Sequence, residues 1–115
     1  MVQYPPDALD TAFAALSDAT RRGILRHLAR AEASISELAE RFAMTLTGMK
    51  KHVAMLEKAG LVATQKVGRV RTCRLDVAPL TAQSTWINEL HTLWDQRFAA
   101  LDAVVIDLKS TNKDP

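Results

Sequence analysis

The residues with chemical potential fall in two short stretches. Thr45, Thr47, Gly48, Lys50 and Lys51 lie together, and Lys66, Arg69 and Arg71 follow some fifteen residues later. Lysine and arginine donate to phosphate oxygens and to guanine O6 and N7. Threonine offers a hydroxyl and a methyl, and glycine permits close approach. This is the chemistry of duplex recognition. Catalysis would need a nucleophile beside a base, paired acids in a cleft or a cofactor loop. The acids here are scattered over helix surfaces, and four glycines in the whole chain leave no phosphate-cradling loop. No cofactor is expected, and the chain does not read as an enzyme.

The charge distribution agrees. The net charge is only +2, but residues 20–75 hold twelve Lys and Arg against four acids, while the segments on either side are acidic. A basic centre between acidic ends suits a polyanionic partner. The length of 115 residues fits one domain over 1–115, and 48% apolar with 24% charged residues is the balance of a folded chain. No stretch approaches the roughly 18 apolar residues of a membrane span. Met1–Asp7 has neither the basic nor the apolar region of a signal peptide. One cysteine, Cys73, excludes an internal disulfide and a four-cysteine zinc site. The expected location is a reducing cytoplasm, with no membrane partner.

The elements that must position these residues can be traced by periodicity and capping. Asp7 is placed to cap a first helix over 8–17, with Leu9, Phe13 and Leu16 on one face. Asp18 caps a second over about 19–30, with Ile24, Leu25 and Leu28 inward. Ser34-Ile35 reads as an extended link, and Ser36 as the cap of a third helix. Thr45 caps a fourth, which carries Leu46, Met49, Val53 and Leu56 inward and ends at Gly60. Its outward set is Thr45, Thr47, Gly48, Lys50, Lys51 and Ala54. Residues 36–59 therefore form a helix-turn-helix. Residues 61–75 follow as a hairpin turned at Val67-Gly68-Arg69, with a basic tip. The fold class is mainly α with a small β-hairpin, a winged helix-turn-helix.

The last helix, expected over 82–109, is long for so small a chain. Ile87, Leu90, Trp94, Phe98, Leu101, Val105 and Leu108 step by three and four, and Trp86, Leu93, Val104 and Ile106 widen the stripe. Twenty-eight residues span about 42 Å at 1.5 Å per residue. The rest of the chain is too small to cover such a stripe, so a second copy is expected to do so by two-fold packing. Trp86 and Trp94 serve that packing or floor an apolar pocket at the subunit boundary.

With these elements in place, the chain resembles the ArsR (arsenical-resistance repressor) family of bacterial winged-helix regulators. The match is carried by Phe13–Leu25 with its Asp18-Ala19-Thr20-Arg21-Arg22 start, by Ser36-Glu37-Leu38-Ala39, by Lys51–Val62 and by Val67-Gly68-Arg69. It covers about residues 9–75. The resemblance implies a homodimer paired through the first and last helices, with Leu9, Phe13, Leu90, Trp94, Phe98, Leu101 and Val105 at the interface. It implies binding to double-stranded operator DNA, usually as a repressor released by an effector. For Arg21 and Arg22 it implies a DNA backbone contact or a salt bridge within the fold, and for His52 a phosphate contact or a place beneath the helix.

The family is best known for metal sensing, and here the known ligand patterns fail. The stretch Ser34–Leu38 lacks the cysteines of one family site. The last helix holds a single histidine, His91, without the Asp-x-His pair and second histidine of another. No metal ligand is assigned. The resemblance is to the subgroup without metal ligands, which leaves a small-molecule effector open in kind. Thr47, Gly48 and Lys51 are assigned to base edges, Thr45 to capping and phosphate, and Lys50 to base or phosphate. Arg22, His52, Lys66, Arg69 and Arg71 complete the DNA-binding set. His27 and His91 read as structural or solvated, and Cys73 as a buried inert thiol or a redox sensor. A winged-helix module that binds protein and not DNA is the alternative, and it would call for a neutral or acidic reading helix.

Overall fold

The computed structural model describes residues 6–111. In chain order these form α1 (Pro6–Leu16), α2 (Ala19–Leu28), β1 (Ala33–Ser34), α3 (Ile35–Arg41), α4 (Leu46–Lys58), β2 (Val62–Val67), β3 (Val70–Leu75) and α5 (Leu80–Thr111). The chain divides into two compact units, one reaching to Gln83 and one starting at Ser84.

The core of the first unit is built from the periodic apolar positions. Ile24, Leu25 and Leu28 of α2 meet Leu38 and Ala39 of α3 and Met49, Val53 and Leu56 of α4, with Leu61, Val62 and Cys73 closing the hairpin side. Leu46 departs from the expected pattern. It is 44% exposed, because at the first residue of α4 the inward face opens into a groove beside the hairpin.

Strand pairing corrects the start of α3. Ala33 and Ser34 pair with Cys73 and Thr72 and make a third antiparallel strand, in the order β1-β3-β2. That pairing holds Ser34 extended (φ −77°, ψ 161°), and its Oγ accepts from the Glu37 backbone N–H at 3.1 Å. Ser34, not Ser36, is therefore the N-cap. Asp18 caps α2 as expected, and α2 stops at Leu28. Pro6 is already helical, so Asp7 lies in the first turn of α1 and does not precede it.

Two helix ends use the same closure with different residues. After α4, Gly60 N–H donates to Glu57 C=O and Leu61 N–H to Leu56 C=O, both at 2.9 Å, and Gly60 takes φ +75°. After α3, Ala43 N–H donates to Glu40 C=O at 3.2 Å and Met44 N–H to Ala39 C=O at 2.9 Å. Both are Schellman closures, which need a left-handed residue. The second puts alanine there, at φ +53°. The left-handed region costs a Cβ-bearing residue about 1–2 kcal/mol, offset in part by glycine's greater unfolded freedom. Ala43→Gly is therefore expected to stabilise the fold by about 0.5–1 kcal/mol. Gly60→Ala, whose Cβ would stand 3.2 Å from Pro79 Cγ, should destabilise it. Urea denaturation of the two variants should show midpoints shifted in opposite directions.

The second unit is the greater part of α5. The whole 32-residue helix is about 48 Å long. Eleven large apolar residues from Trp86 to Leu108 are at least 41% exposed. Trp94 and Phe98 meet edge to face with centroids 4.8 Å apart, and the Arg97 guanidinium lies 5.6 Å from the Trp94 ring.

Candidate nucleic-acid interface

Helix α4 presents two faces of opposite character. Met49, Val53 and Leu56 are buried, while Thr47, Lys50, Lys51 and Ala54 are exposed. At its start Thr45 is extended and its Oγ1 accepts from the Gly48 N–H at 3.0 Å. The Thr45 hydroxyl keeps its own proton for another partner. A Cβ at Gly48 would stand 3.1 Å from Thr45 Oγ1 and 3.3 Å from Met44 Cε. Gly48 thus has a local reason to be glycine, in addition to giving access to a surface.

The wing lies across a groove from this helix. Val67 pairs with Val70 around the two-residue turn Gly68-Arg69, and Gly68 has φ +63°. A positive φ at the first central residue alone is the II′ pattern, which matches strand twist. Lys66 pairs with Arg71 on opposite strands. The groove, about 510 Å³, is lined by Lys50, Ala54 and Glu57 of α4 and by Lys66, Arg69 and Arg71 of the wing. Lys50, Lys51, Lys66 and Arg69 pair with no carboxylate among the described residues.

Two residues outside the sequence-derived set position the wing. Thr64 Oγ1 donates to Glu57 Oε2 at 2.6 Å, and Arg71 Nη1 donates to Thr64 Oγ1 at 3.0 Å. This chain of bonds ties the hairpin to the last part of α4 and commits one arm of Arg71 to the fold. No spacing rule marks Glu57 or Thr64, because the link exists only once the hairpin folds back.

Arg21 and Arg22 both turn toward α1. Arg21 is 9% exposed. Its Nε donates to Ala15 C=O at 2.8 Å and its Nη2 to Ala14 C=O at 3.0 Å. Arg22 is exposed, and its Nη1 donates to Leu16 C=O at 2.7 Å. Arg21 also reaches α4, with Nη1 3.3 Å from His52 Nδ1. A guanidinium only donates, so Nδ1 accepts and the proton of the neutral ring sits on Nε2. Asp18 Oδ2 lies 3.8 Å from the same nitrogen. The Arg21 backbone N–H holds the Asp18 carboxyl below the usual carboxylate range against the effect of burial, helped by the Arg21 charge. The stability Asp18 contributes is present above the ordinary aspartate range and is lost as pH falls through the lowered folded value.

Cys73 is fully buried at the centre of the sheet. Burial, with the Glu57 charge, pushes its thiol up to about 11, so it is a neutral thiol at physiological pH. No group of three or more His, Cys, Asp or Glu that could hold a metal occurs among the described residues. None of the helices there is long and apolar enough to cross a membrane.

A helix-turn-helix with a lysine-bearing second helix, followed at once by a basic hairpin, defines a winged-helix DNA-binding protein. Residues 16–65 match the helix-turn-helix domain family HTH_20. The "HTH-type transcriptional regulator Rv2034" of Mycobacterium tuberculosis is 32% identical over 83 residues, 72% of this chain and 78% of that protein. The crystal structure of an ArsR family transcriptional regulator is 45% identical, with a TM-score of 0.76 over 83% of this chain and 97% of that one. The Mb0332 winged helix-turn-helix domain from Mycobacterium bovis, described as homodimeric and DNA-binding, is 26% identical, with a TM-score of 0.60 over 80% of this chain and 94% of that one. The chain belongs to the ArsR family of transcriptional regulators.

Removing the Arg21 guanidinium strands carbonyls at the end of α1 and uncouples α1, α2 and α4. Hydrogen bonds to charged groups contribute about 1.5–3 kcal/mol. Arg21→Ala should lower stability by about that amount in chemical denaturation. Arg21→Lys should recover little of it, since an ammonium lacks the planar fork.

Proposed function

We propose that the protein is a homodimeric repressor that holds two winged-helix heads on successive major-groove faces of an operator, about 34–36 Å apart. The observation that carries this reading is the set of cations unpaired among the described residues on the two sides of one groove, Lys50 on α4 and Lys66 and Arg69 on the wing, with Lys51 exposed on the same helix. Exposed cations without internal partners lose little on leaving water and gain from each counterion they displace on DNA.

In this reading Thr47, Gly48 and Lys51 face base edges, and Thr45 and Lys50 lie beside them toward the backbone. Lys66, Arg69 and the free arm of Arg71 take the adjacent phosphates or the minor groove. Arg22 serves the flank with the nitrogens left over from Leu16. His52 offers Nε2–H to a phosphate oxygen while Nδ1 is held by Arg21.

The homodimer rests on the apolar stripe of α5. Leu90, Trp94, Phe98, Leu101 and Val105 are all about half exposed in one copy. An uncovered face of that length is an association surface. Leu9 and Phe13 of α1, both half-buried, join that interface. The homodimeric Mb0332 domain supports this assembly. Repression and release by a small-molecule effector follow the family habit, and the work takes place in the cytoplasm.

Lys51→Ala is expected to weaken operator binding by about 1–3 kcal/mol if the lysine reads a base. Operators recovered by selection from genomic fragments supply the probe, and unchanged affinity on all of them rejects the assignment. Leu101→Glu should shift the protein toward monomer in sedimentation by burying an unpaired charge. An intact dimer removes that residue from the interface.

A further inference from the structure

A second basic cleft lies at the junction of α2 and α3 and shares no residue with the groove beside the wing. It is lined by Gly23, Arg26, His27, Arg30, Arg41 and Phe42, and holds about 250 Å³. Arg26 comes from the last turn of α2 and Arg30 lies just past its end, while Arg41 comes from the last turn of α3. None of the three arginines makes a hydrogen bond or ion pair among the described residues, and no carboxylate lines the cleft.

The floor of the cleft is built for close packing. A Cβ at Gly23 would stand 2.9 Å from Phe42 Cε1. Glycine there lets the Phe42 ring lie against the backbone of α2 and supply an apolar part of the cleft lining. Like charges four residues apart repel, and the negative ends of two helices offset only part of that. The volume fits an oxyanion with a few waters, each water taking about 30 Å³.

The geometry points to a phosphate-binding cleft that grips the DNA backbone beyond the base-reading contacts. This inference rests on the DNA-binding reading above. The location selects a duplex phosphate as occupant. Arg41 stands four residues before Thr45, the cap from which the reading helix enters, so the cleft borders the turn of the helix-turn-helix. Exposed, planar donors suit the repeated oxygens of a backbone.

The test is the salt dependence of binding to a random-sequence duplex, measured with the full chain. Each lost phosphate contact should reduce the slope of log K against log salt by about 0.9. Arg26→Gln with Arg30→Gln removes two contacts per protomer and is expected to flatten the slope by about 3.6 for the bound dimer, with an unchanged melting temperature, and Arg26→Lys with Arg30→Lys to retain most of it. A slope equal to wild type in the glutamine variant overturns the inference. So does a response to inorganic phosphate alone, seen as a shift of the His27 ring resonances in the wild type but not in the variant, when the duplex slope is unchanged. In that case the cleft takes a free phosphate compound. Loss of slope in Lys66→Gln with Arg69→Gln reports on the wing independently. A wild type without salt-dependent binding would defeat the DNA-binding reading itself.

Discussion

One buried guanidinium holds the DNA-binding unit together. Arg21 closes the carbonyl end of α1 with Nε and Nη2 and points its remaining arm at His52 of α4. Three helices converge on that single side chain. Its charge is met by the carbonyl end of one helix, by the Asp18 carboxylate at the start of its own, and by an imidazole. A cation taken from water is tolerated only when its donors are satisfied in this way. The arrangement sets the position of α4 relative to the N-terminal helices, and with it the direction in which Lys50 and Lys51 project.

Around that point the molecule separates its charges by purpose. Cations needed for the fold are engaged: Arg21 by carbonyls, Arg22 in part by Leu16, Arg71 in part by Thr64. Lys50 and Lys51 on α4 and Lys66 and Arg69 on the wing have no internal partner among the described residues. An exposed lysine gains little from a surface ion pair, about 0–1 kcal/mol, so leaving it unpaired costs the fold almost nothing. The same charge beside a phosphate backbone releases a counterion. The Glu57–Thr64–Arg71 relay then keeps the wing at a set distance from the helix it flanks.

Much of this was legible in the residues. Asp18, Thr45, Gly60 and Gly68 were read correctly as caps and turn, because each acts through atoms within a few positions along the chain. The apolar spacing of α2 and α4 marked the core, and the long stripe of α5 was recognised as uncovered. The misreadings have a common cause. Ser34 replaced Ser36 as the cap, and β1 went unrecognised, because a two-residue strand exists only through its pairing with β3. Leu46 kept the inward period but met open space. Gly48 is a different case, since crowding of its Cβ position by Thr45 and Met44 stands beside the DNA-facing reading and does not overturn it.

The sequence by itself therefore determined where α2 and α4 begin and where α4 ends, which faces are apolar, and that the middle of the chain is basic. These depend on hydrogen bonds and periodicities that span three or four residues. The tertiary structure decided which cations are consumed by the fold and which stay exposed, that Arg21 turns inward beside an exposed Arg22, and that Arg26, Arg30 and Arg41 share one cleft. Those outcomes depend on groups brought together from different helices, and residue order alone does not encode the distances between them.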